Sequence, residues 1–203
     1  LDISFSINNN DSISLYHNLQ LVDSIAWVSD VNSIGRIHEE SNEITSLLKP
    51  TPGKKNRIES FETNSSIVLN EINTVGSDLI EIYNTSEKQY TFSKDEWTLE
   101  DIQKSKQFFI PEKTVIEGNG FLVLSAETDT NIQNGTNIVK YKSKEFFGLG
   151  SNDTLILRKR GKIVDIKSWS EHVNSIGRFP DGGESWEANL PLSFGSENQK
   201  MKK

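Results

Sequence analysis

The chain repeats itself at a spacing of 142 residues. Laid on residues 152–178, residues 10–36 match without a gap, and twelve of the 27 positions are identical. Val31-Asn32-Ser33-Ile34-Gly35-Arg36 recurs as Val173-Asn174-Ser175-Ile176-Gly177-Arg178, Val22-Asp23 as Val164-Asp165, and Trp27 as Trp169. That period far exceeds the roughly 20–50 residues of a solenoid repeat, so each copy belongs to a domain rather than to a stacked unit. The second copy has a full upstream half and the first has none. The sequence therefore predicts the C-terminal part of one domain over 1–57, a polar linker over 58–65, one complete domain over 66–199 and a tail over 200–203. A start at Leu1, with the single methionine at Met201, reads as a processed chain or a piece of a longer one.

Strand signals dominate. Ile67, Leu69, Glu71 and Asn73 alternate with Val68, Asn70 and Ile72, a period of two. Leu79-Ile80-Glu81-Ile82-Tyr83 is apolar and β-branched, and it stops at the turn cluster Asn84-Thr85-Ser86. Thr154-Leu155-Ile156-Leu157 and Lys162-Ile163-Val164-Asp165 flank a short polar turn and read as a hairpin. A helix candidate lies at 94–106, with poor apolar spacing. Short strands separated by turns at this density predict an all-β sandwich or barrel. With 34% hydrophobic residues and 10 Phe, 4 Trp and 4 Tyr, there is material for a core. No apolar run approaches the ~20 residues of a membrane-spanning helix.

The residue inventory excludes several chemistries. Without cysteine there are no disulfides, zinc ribbons or thiolate nucleophiles. A net charge of −7 gives no global attraction for nucleic acid. His17, His38 and His172 follow no ligand spacing, and the repeat preserves neither His17 nor His172. No nucleophile elbow or phosphate loop is present. The run from Asp129 to Gly135 fails as a calcium loop, because its glycine is misplaced and Lys140 stands where a bidentate glutamate belongs. Asp181-Gly182-Gly183-Glu184 reads as a plain loop or, with ligands from elsewhere in the chain, a weak Ca²⁺ site. No catalytic residue, metal ligand or cofactor is expected.

Other residues carry structural or surface expectations. Trp97, Trp169 and Phe121 suit the space between two sheets. Glu81 sits in an apolar strand and either needs a partner, for which Arg178 is the candidate, or faces solvent. Asp23 and Asp165 follow valine at equivalent strand ends and read as structural. Against the acidic background, Lys140, Lys142 and Lys144 alternate, and Arg158, Lys159, Arg160 and Lys162 cluster at the hairpin. Together they form either an anion-binding face or a solvated edge that keeps strands from pairing.

The order of these motifs resembles the lamin-tail domain, an immunoglobulin-like β-sandwich. The resemblance covers about residues 66–199. It runs through Leu69-Asn70-Glu71-Ile72, Asp78-Leu79-Ile80-Glu81-Ile82-Tyr83-Asn84, Trp97-Thr98-Leu99-Glu100-Asp101, Phe109-Ile110-Pro111, Asn152-Asp153, Val164-Asp165, Trp169 and Gly177-Arg178. Pro50-Thr51-Pro52-Gly53-Lys54-Lys55-Asn56 matches the family's closing motif. Pro191-Leu192-Ser193-Phe194-Gly195-Ser196-Glu197-Asn198 is looser and one residue longer.

The resemblance implies a non-enzymatic interaction or scaffold module in a larger bacterial protein that is exported or on the cell surface. Its partners would be other protein domains or the missing upstream half-domain, with a polyanion as a further candidate at the basic face. The alternatives are an accessory domain of an exported hydrolase or nuclease, and a nuclear lamin tail. Far-UV circular dichroism should show a β-type spectrum with under about a tenth of the residues helical, against about a third in ordinary globular proteins. Strong helical minima would contradict the fold.

Overall fold

The computed structural model describes residues 6–8, 10–27, 33–36, 44–47, 50–56, 59–102, 106–126, 138–141 and 148–200. Every regular element among them is a strand. The chain divides into two compact units, Leu1–Glu59 and Ser60–Lys203.

In the first unit, β1 (Asp11–His17) and β2 (Gln20–Trp27) form an antiparallel hairpin, and β3 (Ser33–Arg36) pairs with β4 (Ile44–Leu47). The turn residues Asn18 and Leu19 both have positive φ, 50° and 64°. Two such residues give a turn whose twist matches the strands it joins. The register of β1 against β2 shifts between Leu15 and Tyr16.

The second unit continues with β5 (Ile67–Asn73), β6 (Leu79–Asn84), β7 (Tyr90–Thr91), β8 (Trp97–Asp101), β9 (Lys106–Phe109), β10 (Val115–Ile116), β11 (Phe121–Ala126), β12 (Ile138–Tyr141), β13 (Asp153–Lys159), β14 (Lys162–Trp169), β15 (Ile176–Arg178) and β16 (Trp186–Ala188). A six-stranded sheet runs β12-β11-β6-β5-β15-β16, and a four-stranded sheet runs β14-β13-β8-β9. Only β11 and β12 pair in parallel; the other ladders of these two sheets are antiparallel. Ile67, Leu69, Ile72, Ile80, Ile82, Leu122 and Leu124 from the first sheet meet Trp97, Leu99, Phe108, Leu155, Leu157 and Trp169 from the second in one buried cluster. This is the all-β sandwich expected from the sequence. The helix candidate at 94–106 is instead a turn leading into β8 and then β9, except for 103–105, which lie outside the described residues. Within the stretch read as linker, Phe61 bridges Ile163 and residues 60 and 62 share backbone hydrogen bonds with it.

Strict alternation holds only to the middle of β5. A bulge between Leu69 and Glu71 sets Asn70 as an extra residue opposite β6. Leu69 and Ile72 therefore both reach the core, and Asn70 and Glu71 share the opposite face. Trp97 is fully buried, and its indole N–H donates to Tyr90 Oη at 2.9 Å.

Arg158 overturns part of the surface reading of the basic hairpin. It is buried, and its Nε donates to Glu100 Oε2 at 2.7 Å while Nη1 donates to Gly161 O. The register shift between Leu157 and Arg158 accompanies this inward placement. Removing one member of a buried ion pair strands the other charge. Arg158→Met should therefore cost about 3–5 kcal/mol, read as a lower midpoint in urea unfolding.

Candidate functional site

The most heavily connected polar site lies where β14 of one sheet approaches β5 and β15 of the other. Strand β15 pairs with β5 only at Ile72 and Glu71. One step further along β5, side chains replace the missing strand. Asp165 Oδ2 accepts the Leu69 amide at 2.9 Å, and Arg178 Nε donates to the Leu69 carbonyl at 2.7 Å. The same guanidinium binds both Asp165 oxygens through Nη2, at 2.9 and 2.8 Å, and its Nη1 donates to Gly183 O. Asp165 and Arg178 thus tie the two sheets together and satisfy both backbone groups of Leu69.

Glu71 and Glu81 lie opposite one another across the bulge, both fully buried. Glu81 Oε1 accepts Asn70 Nδ2 at 2.8 Å, and Oε2 accepts the Gly195 amide at 2.5 Å. Glu71 accepts Ser175 Oγ at 2.6 Å and, more weakly, the Ser193 amide at 3.3–3.4 Å. Asp181 accepts from Asn70 Nδ2 and from the Asn198 amide. The final segment therefore crosses the outer face of the larger sheet, with Phe194 packed on Leu79 and Val123. The Glu81–Arg178 pairing expected from the sequence does not form, and Glu81 does not face solvent. Arg178 is claimed by Asp165, and neutral donors hold Glu81. Burial pushes Glu81 up to about 8, against the opposing pull of Asn70 and the Gly195 amide; Glu71 and Asp181 add to the rise. Burial raises Glu71 as well.

Gly177 is required by close approach. A Cβ there would come within 2.8 Å of Asn198 Nδ2 and 3.1 Å of Leu190 Cδ1. Trp169 holds its indole N–H on Gly150 O at 2.8 Å. Asn70, Glu71, Asp181, Ser193 and Asn198 were not singled out as site residues by the sequence reading. Asn198, Ser193 and Asp181 carried a readable signal, through their counterparts Asn56, Thr51 and Glu39 at the same spacing.

The first unit reproduces this hydrogen-bond set at the constant spacing of 142. Trp27 Nε1 donates to Asn8 O at 2.8 Å, as Trp169 does to Gly150. Arg36 binds both oxygens of Asp23 at 2.6 and 2.8 Å, as Arg178 binds Asp165, and this holds the Asp23 carboxyl below its ordinary range. Thr51 Oγ1 donates to Asn56 Oδ1 at 2.5 Å, and Asn56 Nδ2 to Arg36 O at 3.0 Å. Ser193 Oγ and Asn198 Nδ2 make the same two bonds, the latter to Arg178 O, at 2.5 and 2.9 Å. Gly53 and Gly195 both have positive φ, 71° and 85°. The closing segments thus have equal length. The extra residue read from the sequence came from aligning Pro50 with Pro191.

The basic hairpin is largely neutralised from within. Arg160 Nη2 lies 3.0 Å and Lys159 Nζ 3.9 Å from Glu96 Oε1, and Lys162 Nζ lies 3.6 Å from Glu62 Oε2. Lys159 also lies over the rings of Tyr90 and Trp97. With Arg158 buried, Lys159, Arg160 and Lys162 remain of that cluster. The side chain of Lys140, on β12, lies outside the described residues, as do Lys142, Lys144 and the Asp129 to Gly135 run. In the Asp181 to Glu184 loop, Asp181 and Gly183 O accept protein donors. Among the described residues no three His, Asp or Glu are placed to hold a metal.

The family model described as Lamin Tail Domain matches residues 61–171. No curated protein matches the chain.

A carboxyl raised by folding binds its proton more tightly in the native state. Its contribution is fully present below the ordinary glutamate range and is lost as pH rises through the folded value. Unfolding free energy should therefore fall by on the order of a few kcal/mol between about pH 5 and pH 9. Glu81→Gln should flatten that slope in denaturant titrations.

Proposed function

The chain belongs to the lamin tail domain family, and we propose on that premise that it is an interaction or scaffold module of a larger bacterial protein, exported or displayed on the cell surface. The lamin tail domain is a non-catalytic, immunoglobulin-like interaction domain. The first unit is then the C-terminal part of a second, tandem domain of this kind.

One observation carries the non-enzymatic reading. The buried ionisable groups of the site are engaged in holding the sandwich's own backbone. Asp165 and Arg178 bind Leu69, and Glu71 and Glu81 receive the amides of the closing segment. Catalytic acids and bases instead face a space that a substrate can enter. A scaffold uses such groups to keep a surface rigid while its loops and edges make the contacts.

A polyanion-contacting accessory domain is the competing reading, and charge arithmetic separates the two. Arg160, Lys159 and Lys162 face Glu96 and Glu62, so the hairpin tip has little net positive charge to release counterions from a polyanion. The purified chain should pass through immobilised heparin at about 0.1 M salt, where charges are screened over about 10 Å. Firm retention that disappears in an Arg160→Glu, Lys162→Glu variant would replace the scaffold reading with the accessory one.

A further inference from the structure

The two units share one set of hydrogen bonds but differ in what covers them. In the second unit, Leu157 is fully buried in the core cluster between the sheets, and Ile163, also fully buried, pairs with the Ser60–Glu62 stretch. Their equivalents in the first, Leu15 and Leu21, are 61% and 57% exposed. The Asp165–Arg178 pair is about 11% exposed on each side, whereas Asp23 and Arg36 are 47% and 29% exposed.

The polar groups are unfilled in the same pattern. Arg178 Nε holds Leu69 O, but Arg36 Nε has no acceptor among the described residues. Asp165 takes the Leu69 amide, but Asp23 receives no strand amide from outside its own hairpin. The amides of Ser193 and Gly195 point at Glu71 and Glu81, and those of Thr51 and Gly53 have no acceptor among the described residues. The hairpin, clamp and closing turn are nevertheless already assembled, with the same bonds as in the filled unit.

We propose that the first unit is a preformed acceptor for an antiparallel strand pair of the β5–β6 kind, supplied by polypeptide outside residues 1–203. The second unit states the chemistry of the occupant. It needs a leucine whose amide and carbonyl enter the Asp23–Arg36 clamp, and a one-residue bulge directly after that leucine. It also needs one carboxyl on each strand, aimed at the Thr51 and Gly53 amides, and alternating Ile or Leu side chains to cover Leu15. A second copy of this chain is a poor source, because its own β5 and β6 are already buried under β13–β16. The inference deepens the interaction-module reading by naming a partner.

The test adds residues 64–102 of this sequence, made as a separate polypeptide, to the intact chain. Amide hydrogen exchange and titration calorimetry are the readouts. One equivalent should bind and slow exchange across β1 and β2. A probe with Glu71→Ala and Glu81→Ala should bind at least about tenfold more weakly. This comparison leaves the 203-residue chain unaltered, so misfolding of a variant chain does not enter. Asp23→Ala in the chain should weaken the parent probe comparably, with exchange in β13–β14 unchanged. The proposal is overturned if the probe does not protect β1 and β2, or if protection appears only in β13–β14. It is equally overturned if the chain alone dimerises in sedimentation equilibrium with β1 and β2 protected, since the occupant is then a second copy. None of these outcomes depends on heparin retention, so this inference and the scaffold reading can fail separately.

Discussion

A sandwich edge needs something to hold two sheets together where their ladders run out, and here an ion pair does it. Asp165 belongs to one sheet and Arg178 to the other, and between them they bind both backbone groups of Leu69. A charge pair drawn out of water gains little by attraction alone, because the desolvation cost offsets much of it. The pair is worthwhile because each ion also satisfies a backbone group that would otherwise be orphaned. Strand β15 is only three residues long, and the side chain at its end extends the ladder by one more rung.

The same logic explains why so polar a layer is buried on the outer face of the larger sheet. The bulge in β5 turns Asn70 and Glu71 to one face and keeps Leu69 and Ile72 in the core. The carboxylates then need donors, and the closing segment supplies backbone amides rather than cations. Neutral donors satisfy geometry without cancelling charge, which leaves burial as the larger influence on Glu81. Gly177 admits that segment to the sheet surface, because a side chain there would strike Asn198.

The fold was legible because its signals are local. Alternation at the start of 67–73 and the apolar, β-branched run at 79–83 report strands wherever they occur, and tryptophans at 97 and 169 report the space between sheets. The site was legible only where the repeat exposed it. Asp165, Gly177 and Arg178 stood out because Asp23, Gly35 and Arg36 recur at one spacing. Asn70 has no counterpart in the first unit, and its partner Asp181 lies 111 residues away. Arg158 was misread for a related reason. Its neighbours in sequence are cations, but the bulge beside Leu157 accompanies a turn inward toward Glu100, which lies 58 positions away. Glu81 was matched to the wrong cation, since sequence shows which charges exist and not which backbone groups they also serve.

The acceptors and donors of the closing segment are far apart in the order of synthesis. Glu81 leaves the ribosome 114 residues ahead of the Gly195 amide that caps it, and Glu71 precedes Ser193 by 122. At roughly 5–20 residues per second, that is a wait of several seconds or more. Over that interval Glu81 has Asn70 to receive from, but both carboxyls lack the amides of the closing segment and that face of the larger sheet lacks its cover. The last few residues to be made therefore decide when the first strands of this unit can finally dry.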